Sequence, residues 1–253
     1  MYGLPPKIKD NILIPNYNTK MKFYFILAIG LLALFIILSL AISPDINPTG
    51  STLINADKSA FTILNKSHIP ALNQFMVHLT QFGREYFWIP VLILLFAFGG
   101  WTGKKTSIIM AISFLVLIPL VSVVKDVIHR DRPIVLNESF ILKSDSESSF
   151  PSGHAVIVSA GAINTLMLFR GTFKKHIISI CLTIEASLVC FSRVYVGGHY
   201  PLDVVGGIIL GVAISLIFIG IYRHVESKVT NVFQFLKPIN NKQRKPKGKI
   251  TKR

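Results

Sequence analysis

The sequence has few cysteines and few acidic residues. Its two cysteines, Cys181 and Cys190, lie within one apolar run, which argues against a disulfide framework. Only 12 acidic residues stand against 27 basic ones, and they form no carboxylate cluster of the kind that holds Mg²⁺. We therefore expect no metal site and no other cofactor.

Charged residues of both signs are also scarce, at 15% of the chain against 51% hydrophobic residues, with a mean hydropathy of +0.55. This composition falls outside the range of soluble globular domains and indicates a polytopic membrane protein. The net charge of +15 would suit a nucleic-acid partner, but basic residues between apolar runs are explained by membrane orientation. We expect no nucleic-acid partner.

Long apolar runs predict an all-α fold in which six transmembrane helices form a bundle. The first run, twenty residues without a charge, is long enough to cross a hydrocarbon core of about 30 Å. It is too long for the apolar core of a signal peptide, about 7 to 15 residues, and we interpret it as an uncleaved span. The six runs are Phe23–Ile42, Tyr86–Trp101, Thr106–Val124, Ala155–Phe169, Ile177–Ser192 and Val204–Tyr222. The predicted division is an N-terminal segment 1–22, a membrane domain 23–222 and a basic tail 223–253, with disorder expected from Lys237 onward.

The distribution of basic residues predicts the orientation of these spans. With an inside N-terminus and six crossings, nineteen Lys and Arg fall in inside segments and eight in outside loops. Such a bias places both termini in the cytoplasm of a cell that we expect to be bacterial, and the protein in its plasma membrane. The loops that follow the third and fifth spans then face the extracytoplasmic side.

Two further patterns concern helix packing. The spacing of Leu72, Phe75, Met76 and Leu79 in the long loop 43–85 predicts an amphipathic helix at the outer interface or against the bundle. In the last span, Gly207 and Gly211 form a small-xxx-small pair that is typical of close helix packing, with simple flexibility as an equal alternative.

A polar, glycine-containing segment between the last two spans, 192–203, carries the first candidate site residues. A neutral imidazole at His199 can attack phosphorus if its other ring nitrogen keeps a proton, and Asp203 four residues on supplies an acceptor. Arg193 adds a planar cation that suits phosphate oxygens. The alternative is a solvated loop between helices.

Two other segments on the same predicted face have complementary chemistry. Lys125 and Arg132 are seven residues apart, which on a continuous helix brings both cations to one face and onto one anion. Ser152 and Gly153 precede the fourth span, where backbone N–H groups at a helix start form a phosphate cradle. His154 stands at its edge and is placed to protonate a departing oxygen.

Together these segments resemble the type-2 phosphatidic acid phosphatase superfamily of membrane lipid phosphatases. The family pattern is Lys, six residues, Arg-Pro; Pro-Ser-Gly-His; and Ser-Arg, five residues, His, three residues, Asp. In this chain the three parts are complete and in order, as Lys125 to Arg132-Pro133, Pro151 to His154, and Ser192-Arg193 to His199 to Asp203.

The resemblance implies a role for each residue of the pattern. His199 is then the nucleophile that forms a phosphohistidine, Asp203 orients it, and His154 serves as general acid and then general base. The residues implied in phosphate binding are Lys125, Arg132, Ser152, Gly153 and Arg193. The implied activity is metal-independent hydrolysis of a lipid phosphate or pyrophosphate, with undecaprenyl pyrophosphate, phosphatidylglycerophosphate and phosphatidic acid as candidate substrates.

Two other functions remain open at this stage. One is a catalytically silent lipid-phosphate-binding or scaffold protein of the same fold. The other is a vanadium haloperoxidase. These enzymes have a similar histidine-centred oxyanion pocket, but they are typically soluble, and six predicted spans argue against that here. Further polar residues have no assigned role. Glu185 in the fifth span is a functional candidate because it is an intramembrane carboxylate, but a neutral, hydrogen-bonded Glu packed between helices is favoured. Residues 129–131 are expected to contact headgroups or to form a solvated loop face. The acidic residues Glu138, Asp145 and Glu147 are expected to belong to an ordinary polar loop.

Overall fold

A computed structural model describes residues 17–47, 51–66, 69–133 and 148–235 of the chain. Within these ranges the protein is all-helical. The helices are α1 (Tyr17–Ile42), α2 (Thr52–Lys66), α3 (Pro70–Phe82), α4 (Glu85–Phe98), α5 (Gly100–Ile128), α6 (Gly153–Leu168), α7 (Phe173–Tyr195) and α8 (Pro201–Phe235). The expected N-terminal segment up to residue 16 and the basic tail from residue 236 lie outside the described residues.

Each of the six predicted apolar runs forms a helix. Four helices, α1, α5, α7 and α8, are long and apolar enough to cross a membrane, so the protein is a multi-pass membrane protein. Helices α3 and α4 meet that test only as a pair bent by 59°, and α6 is a shorter apolar helix. A count of six spans stays a prediction. Large apolar side chains on the outer surface, such as Ile26 and Phe98, suit a hydrocarbon environment.

Helix α6 is the centre of the bundle and packs against α5, α7 and α8. Its interior face is built from small and β-branched residues, and Val156, Val158 and Ala160 are fully buried. Gly161 lies directly against the indole of Trp88 in α4, where a Cβ atom would overlap the ring. Close packing of this kind fixes the start of α6, and with it residues 152–154.

The glycine pair of α8 packs against the same helix. A Cβ atom on Gly207 would stand 2.7 Å from the carbonyl oxygen of Ser152 and 2.9 Å from Cβ of Ala155, and one on Gly211 would overlap the Val156 carbonyl. The prediction of a close-packing face is therefore confirmed. This close packing brings the beginnings of α6 and α8 together.

The long loop 43–85 contains two helices, of which the sequence predicted one. The amphipathic helix is α3, which lies against α7; Met76 is buried with Tyr195 and Val196, whereas Phe75 is half exposed. Helix α2 was not predicted. It buries Ile54, Asp57 and Phe61 on one face, which places a carboxylate inside the bundle.

Candidate active site

The segment between α7 and α8 folds into a tight, buried turn. Gly197 adopts a positive φ of 82°, a conformation that glycine reaches without steric cost. The backbone N–H groups of Gly198 and His199 both donate to the Arg193 carbonyl, at 3.1 and 3.2 Å. His199 is only 2% exposed, so this segment is not a solvated loop.

The hydrogen bond that His199 makes defines its tautomer. Nδ1 of the imidazole lies 2.8 Å from the backbone carbonyl oxygen of Ser149. Because a carbonyl oxygen only accepts, Nδ1 carries the proton and Nε2 keeps its lone pair. The motif predicted this orienting role for Asp203, but Oδ2 of Asp203 is 3.7 Å from Nδ1. The acceptor at hydrogen-bonding distance is a backbone atom that the motif does not show.

Asp203 instead joins several parts of the site. Its Oδ2 accepts the Tyr200 N–H at 2.8 Å and the Ser149 hydroxyl, and its backbone carbonyl accepts the Ser152 N–H at 3.0 Å. The carboxylate is fully buried, yet its negative charge remains close to the His199 ring. It therefore fixes Ser149, whose carbonyl orients His199, and stabilises positive charge on the imidazole.

The buried partner of Asp203 is Arg130, which the sequence assigned to headgroups or solvent. Its Nη1 lies 2.5 Å from Oδ1 of Asp203 and its Nη2 2.5 Å from Oδ2 of Asp57. The guanidinium also stands 4.5 Å from the centroid of the Tyr200 ring. With 5% exposure, Arg130 is not on a solvated face. The expectation was wrong because both carboxylates lie 73 residues away in the chain.

Asp57 completes this buried network from α2. Its Oδ1 accepts the N–H of Leu202 at 2.9 Å, in the first turn of α8, where an anion is favourable. Burial raises the pKa of the Asp57 carboxyl, although its bonds to Arg130 and Leu202 act in the opposite direction. Burial also opposes the charge on Arg130, but its two carboxylate partners hold the Arg130 pKa above its ordinary value.

The electrostatic surroundings keep His199 neutral. Burial lowers the pKa of His199 from 6.5 to about 4, against the opposing influence of Asp203, and the cations Arg193 and Arg132 lower it as well. At neutral pH the imidazole is therefore uncharged. A neutral ring with a proton on Nδ1 has its nucleophilic lone pair on Nε2.

Ser152 and Gly153 form the predicted helix-start geometry. Ser152 is the N-cap of α6, with extended backbone angles, and Gly153 begins the helix. The Ser152 hydroxyl is buried and has no hydrogen-bond partner among the described residues. A buried hydroxyl without a partner, next to unsatisfied N–H groups at a helix start, suits an anionic oxygen.

The three predicted phosphate-binding cations come from different parts of the chain. Arg193 is 7% exposed, and its Nη1 donates to Oγ1 of Thr80 at 2.7 Å. Arg132 donates from Nη1 to the Gly198 carbonyl at 3.4 Å. Lys125 lies in the last turn of α5. Lys125 and Arg132 do not share a helical face as predicted, because α5 ends at Ile128 and His129 turns the chain with a φ of 48°.

His154 faces the same region from the first turn of α6. It makes a backbone hydrogen bond with Thr80 and is electrostatically coupled to Arg193, Arg84 and His199. Thr80 thus contacts the acid candidate through its backbone and Arg193 through its side chain. No motif or spacing in the sequence selects Thr80 or Arg84.

Two other groups of acidic residues were noted in the sequence. Glu185 lies in α7 beside Gly83. Neither of its buried carboxylate oxygens has a hydrogen-bond partner among the described residues, so the expected hydrogen bond is not observed, and the neutral state stays a prediction. Glu138, Asp145 and Glu147 lie outside the described residues.

The fold and this arrangement of residues define a membrane protein in which a buried histidine lies close to arginine side chains and to a helix start. Comparison with known proteins gives the family. Residues 106–226 match the model of the PAP2 superfamily. The chain belongs to this superfamily, which confirms the resemblance seen in the motifs and makes the protein a member of a family of membrane lipid phosphatases.

Individual relatives extend the likeness over most of the chain. An undecaprenyl-diphosphatase of Sulfolobus acidocaldarius is 38% identical over 85% of this chain and 98% of that protein. Phosphatidylglycerophosphatase B of Bacillus subtilis is 32% identical over 66% of this chain and 85% of its own length. Among solved structures, the transmembrane PAP2-type phosphatidylglycerolphosphate phosphatase of Bacillus subtilis superposes with a TM-score of 0.63 at 27% identity, over 80% of this chain and 96% of that one.

Proposed function

We propose that the protein hydrolyses a lipid phosphate or pyrophosphate through a phosphohistidine at His199. The observation that carries the proposal is the bond from Nδ1 to the Ser149 carbonyl at 2.8 Å. It leaves Nε2 as the nucleophilic nitrogen of a neutral, buried ring. Ser152 and Gly153, with a buried hydroxyl that lacks a described partner, provide the adjoining place for the phosphoryl oxygens.

In the first step, the Nε2 lone pair of His199 attacks phosphorus while the bond from phosphorus to the leaving oxygen breaks. His154, protonated in the presence of the bound phosphate dianion, donates its proton to that oxygen. The imidazole keeps its Nδ1 proton and becomes a phosphorylated cation. The Ser149 carbonyl and the nearby Asp203 carboxylate stabilise this positive charge.

In the second step, His154 accepts a proton from water as the water oxygen attacks phosphorus. The bond between phosphorus and Nε2 breaks, its electrons return to the ring, and inorganic phosphate leaves. His199 is neutral again, and His154 again carries the proton for the next cycle. One pair of histidines thus accounts for both steps without a further acid or base.

The charge that develops on the transferred phosphoryl group is stabilised by cations and N–H donors. Phosphoryl transfer depends mainly on such positioning and electrostatic stabilisation. Lys125, Arg132 and Arg193 supply three positive charges, and Ser152 and the Gly153 N–H supply neutral donors. These three positive charges exceed the two negative charges of a phosphate dianion, which is the basis for proposing a metal-independent reaction with no cofactor.

The substrate we propose is a lipid whose tail remains in the bilayer while its phosphate enters at the headgroup level. Its candidates are undecaprenyl pyrophosphate, phosphatidylglycerophosphate and phosphatidic acid; the first two correspond to the names of the similar enzymes. The distribution of basic residues supports an extracytoplasmic site at the outer leaflet of the plasma membrane.

The test is phosphate release by purified protein in detergent and EDTA, with the three lipids offered separately. We expect release from at least one, unaffected by EDTA, and its loss in His199→Asn. The matched control is His176→Asn, a histidine in the first turn of α7, at the other end of that helix from the site. Binding of the lipids without phosphate release by folded protein would instead favour the silent scaffold.

A further inference from the structure

A groove opens between α1, α6 and α8 at the end of the bundle opposite the candidate active site. Helices α1 and α6 both pack against α8, and the three helices enclose a cavity of about 540 Å³. That volume lies within the range of pockets that bind small ligands. Every residue that lines the groove is apolar or aromatic except Arg170.

The lining residues give the groove a direction. Phe23 begins the apolar run of α1, Met167 lies in the last turn of α6, and Arg170 follows that helix. Leu27 and Ile163 also line the groove. Each lies four residues closer to the middle of its helix, a distance of about 6 Å. The groove therefore has a charged mouth and an apolar interior, and in a membrane it runs from the headgroup level into the hydrocarbon.

Arg170 at the mouth has hydrogen-bonding capacity to spare. Its side chain folds back on the end of α6, where Nε donates to the Leu166 carbonyl and Nη2 lies 3.3 Å from Sδ of Met167. Within the described ranges, no carboxylate pairs with Arg170, which is exposed. The exposed Lys22, next to Phe23 in the chain, adds a second positive charge. This mouth attracts an anion, and the guanidinium fork suits phosphate oxygens.

The chemistry of the groove determines which molecule fills it. Leu27 in its wall is exposed on the outer surface, so the groove opens sideways to the lipid. Apolar walls give water no hydrogen-bond partner and therefore favour a hydrocarbon chain. Basic pockets between transmembrane helices favour anionic headgroups. A soluble anion lacks the chain, and a zwitterionic lipid lacks the net charge.

We propose that the groove binds one anionic phospholipid, with an acyl chain along Leu27, Ile163 and Val212 and its phosphate on Arg170. The bound lipid fills the space between α1 and α6 and stabilises the bundle at the end away from the active site. The proposal does not depend on the function proposed above, because none of these residues belongs to the three motifs.

The test compares dioleoyl phosphatidylglycerol with dioleoyl phosphatidylcholine, which have the same tails and differ in headgroup charge. Neither has a terminal phosphate, so neither is a substrate of the proposed reaction. Native mass spectrometry of the full chain in detergent measures the Kd of the first bound lipid. We expect wild type to bind phosphatidylglycerol about tenfold more tightly, as for one hydrogen bond between charged groups. Arg170→Gln should lose this preference, and Arg170→Lys, which lacks the planar fork, should keep part of it.

Three further substitutions distinguish the groove from the rest of the molecule. Lys104→Gln removes an exposed positive charge at the same end of the bundle but outside the groove, and the preference should be unchanged. Arg132→Gln removes a cation of the candidate active site and should also leave the preference unchanged. Leu27→Trp adds bulk at an exposed position of the groove wall and should weaken the binding of both lipids.

Several results would overturn the proposal. One is equal binding of the two lipids by wild type, and another is a preference that survives in Arg170→Gln. An equal loss of preference in Lys104→Gln or Arg132→Gln would assign it to general surface charge or to the active site. A dimer that Leu27→Trp dissociates would assign the groove to a second copy of the chain.

Discussion

At the scale of single residues, the state of His199 depends on atoms outside its own motif. The Ser149 carbonyl lies 2.8 Å from Nδ1, and Asp203 acts largely by holding Ser149 and Arg130 in place. A backbone carbonyl accepts a hydrogen bond from Nδ1–H whatever the pH. The ring is thereby kept in one tautomer, with Nε2 available to attack.

The tautomer of His199 and the pKa of its imidazole are both directly measurable. Because burial lowers the pKa of His199 to about 4, the ring should stay neutral, with the proton on Nδ1, as the pH falls from 7 to 5. In the unfolded chain the pKa of His199 returns to its ordinary value of 6.5, so unfolding between about pH 6.5 and 4 takes up a proton. The folded state therefore loses stability as the pH falls through that range. ¹⁵N NMR of histidine-labelled protein, assigned by the signal missing in His199→Asn, checks this. A proton on Nε2, or a midpoint near 6.5, would contradict it.

Asp57 offers a second prediction at this scale. In Asp57→Asn one of the two acceptor oxygens becomes an NH2 group, so the side chain can accept from Arg130 or from Leu202 but not from both, and the ion pair is lost. We expect the stability to fall by about 2 kcal/mol and kcat by about tenfold, with KM nearly unchanged because Asp57 touches no substrate. Thermal denaturation in detergent and steady-state kinetics measure both. Lys58→Gln, a substitution at the exposed residue next to Asp57, serves as the control. A change in KM alone would contradict a positioning role for Asp57.

The motif residues were predictable, and the residues that support them were not. The motif spacing and the family resemblance predicted His154, His199 and Asp203 as site residues, because the pattern combines residue types that few other functions need. Ser149 acts through a carbonyl, which every residue has, so its position carries no sequence signal. Arg130 looked like a solvated charge because its two partners come from distant parts of the chain.

At the scale of helices, the beginnings of α6 and α8 are held together by glycines. Gly207 allows α8 to lie against the Ser152 carbonyl, and Gly211 allows it to lie against Val156. The Ser152 N–H also donates to the Asp203 carbonyl at 3.0 Å. The phosphate cradle and the nucleophile segment thus depend on one helix contact.

A methyl group at Gly207 should disturb that contact. In Gly207→Ala the new Cβ atom would stand 2.7 Å from the Ser152 carbonyl oxygen, and overpacking of this kind costs about 1–3 kcal/mol. We expect a lower thermal midpoint and lower activity. Gly30→Ala in α1 is the matched control, since no atom lies within 4 Å of its new Cβ. The thermal midpoint of Gly30→Ala should be unchanged or slightly higher than that of the wild type. Equal effects of the two substitutions would contradict the packing role.

Hydropathy predicted the helices of the bundle better than the helices beside it. The apolar runs coincide with α1 and with α4 to α8, although α8 continues to Phe235 rather than ending at Tyr222. Helix α2 was missed because only Ile54, Asp57 and Phe61 face inward, and a buried aspartate weakens an apolar pattern. The end of α5 at Ile128 was missed because the sequence contains no glycine or proline there.

At the scale of the whole molecule, residues from α2, α3, α5, α6, α7 and α8 meet at one end of the bundle. Asn65, at the end of α2, donates to the Tyr195 carbonyl at 3.2 Å, close to the nucleophile segment. The start of α7 lies at the opposite end. The distribution of basic residues predicts that the site end faces outward; that orientation, both cytoplasmic termini and a bacterial origin stay predictions.

Cysteine labelling tests the orientation. In a background with Cys181→Ser and Cys190→Ala, a cysteine is introduced at Lys66 near the site end or at Lys174 near the other end, both exposed positions. We expect an impermeant maleimide to label the first variant in intact cells and the second only after permeabilisation. The reverse pattern would place the site in the cytoplasm.

The most direct test of the central claim is to trap the covalent intermediate. Purified protein is mixed with a lipid phosphate labelled in its terminal phosphate and quenched in alkali, which preserves phosphohistidine. The labelled peptide is then identified by mass spectrometry. We expect label on His199 in the wild type and none in His199→Asn, which also releases no phosphate. Turnover without label on His199, or label on another residue, would contradict it.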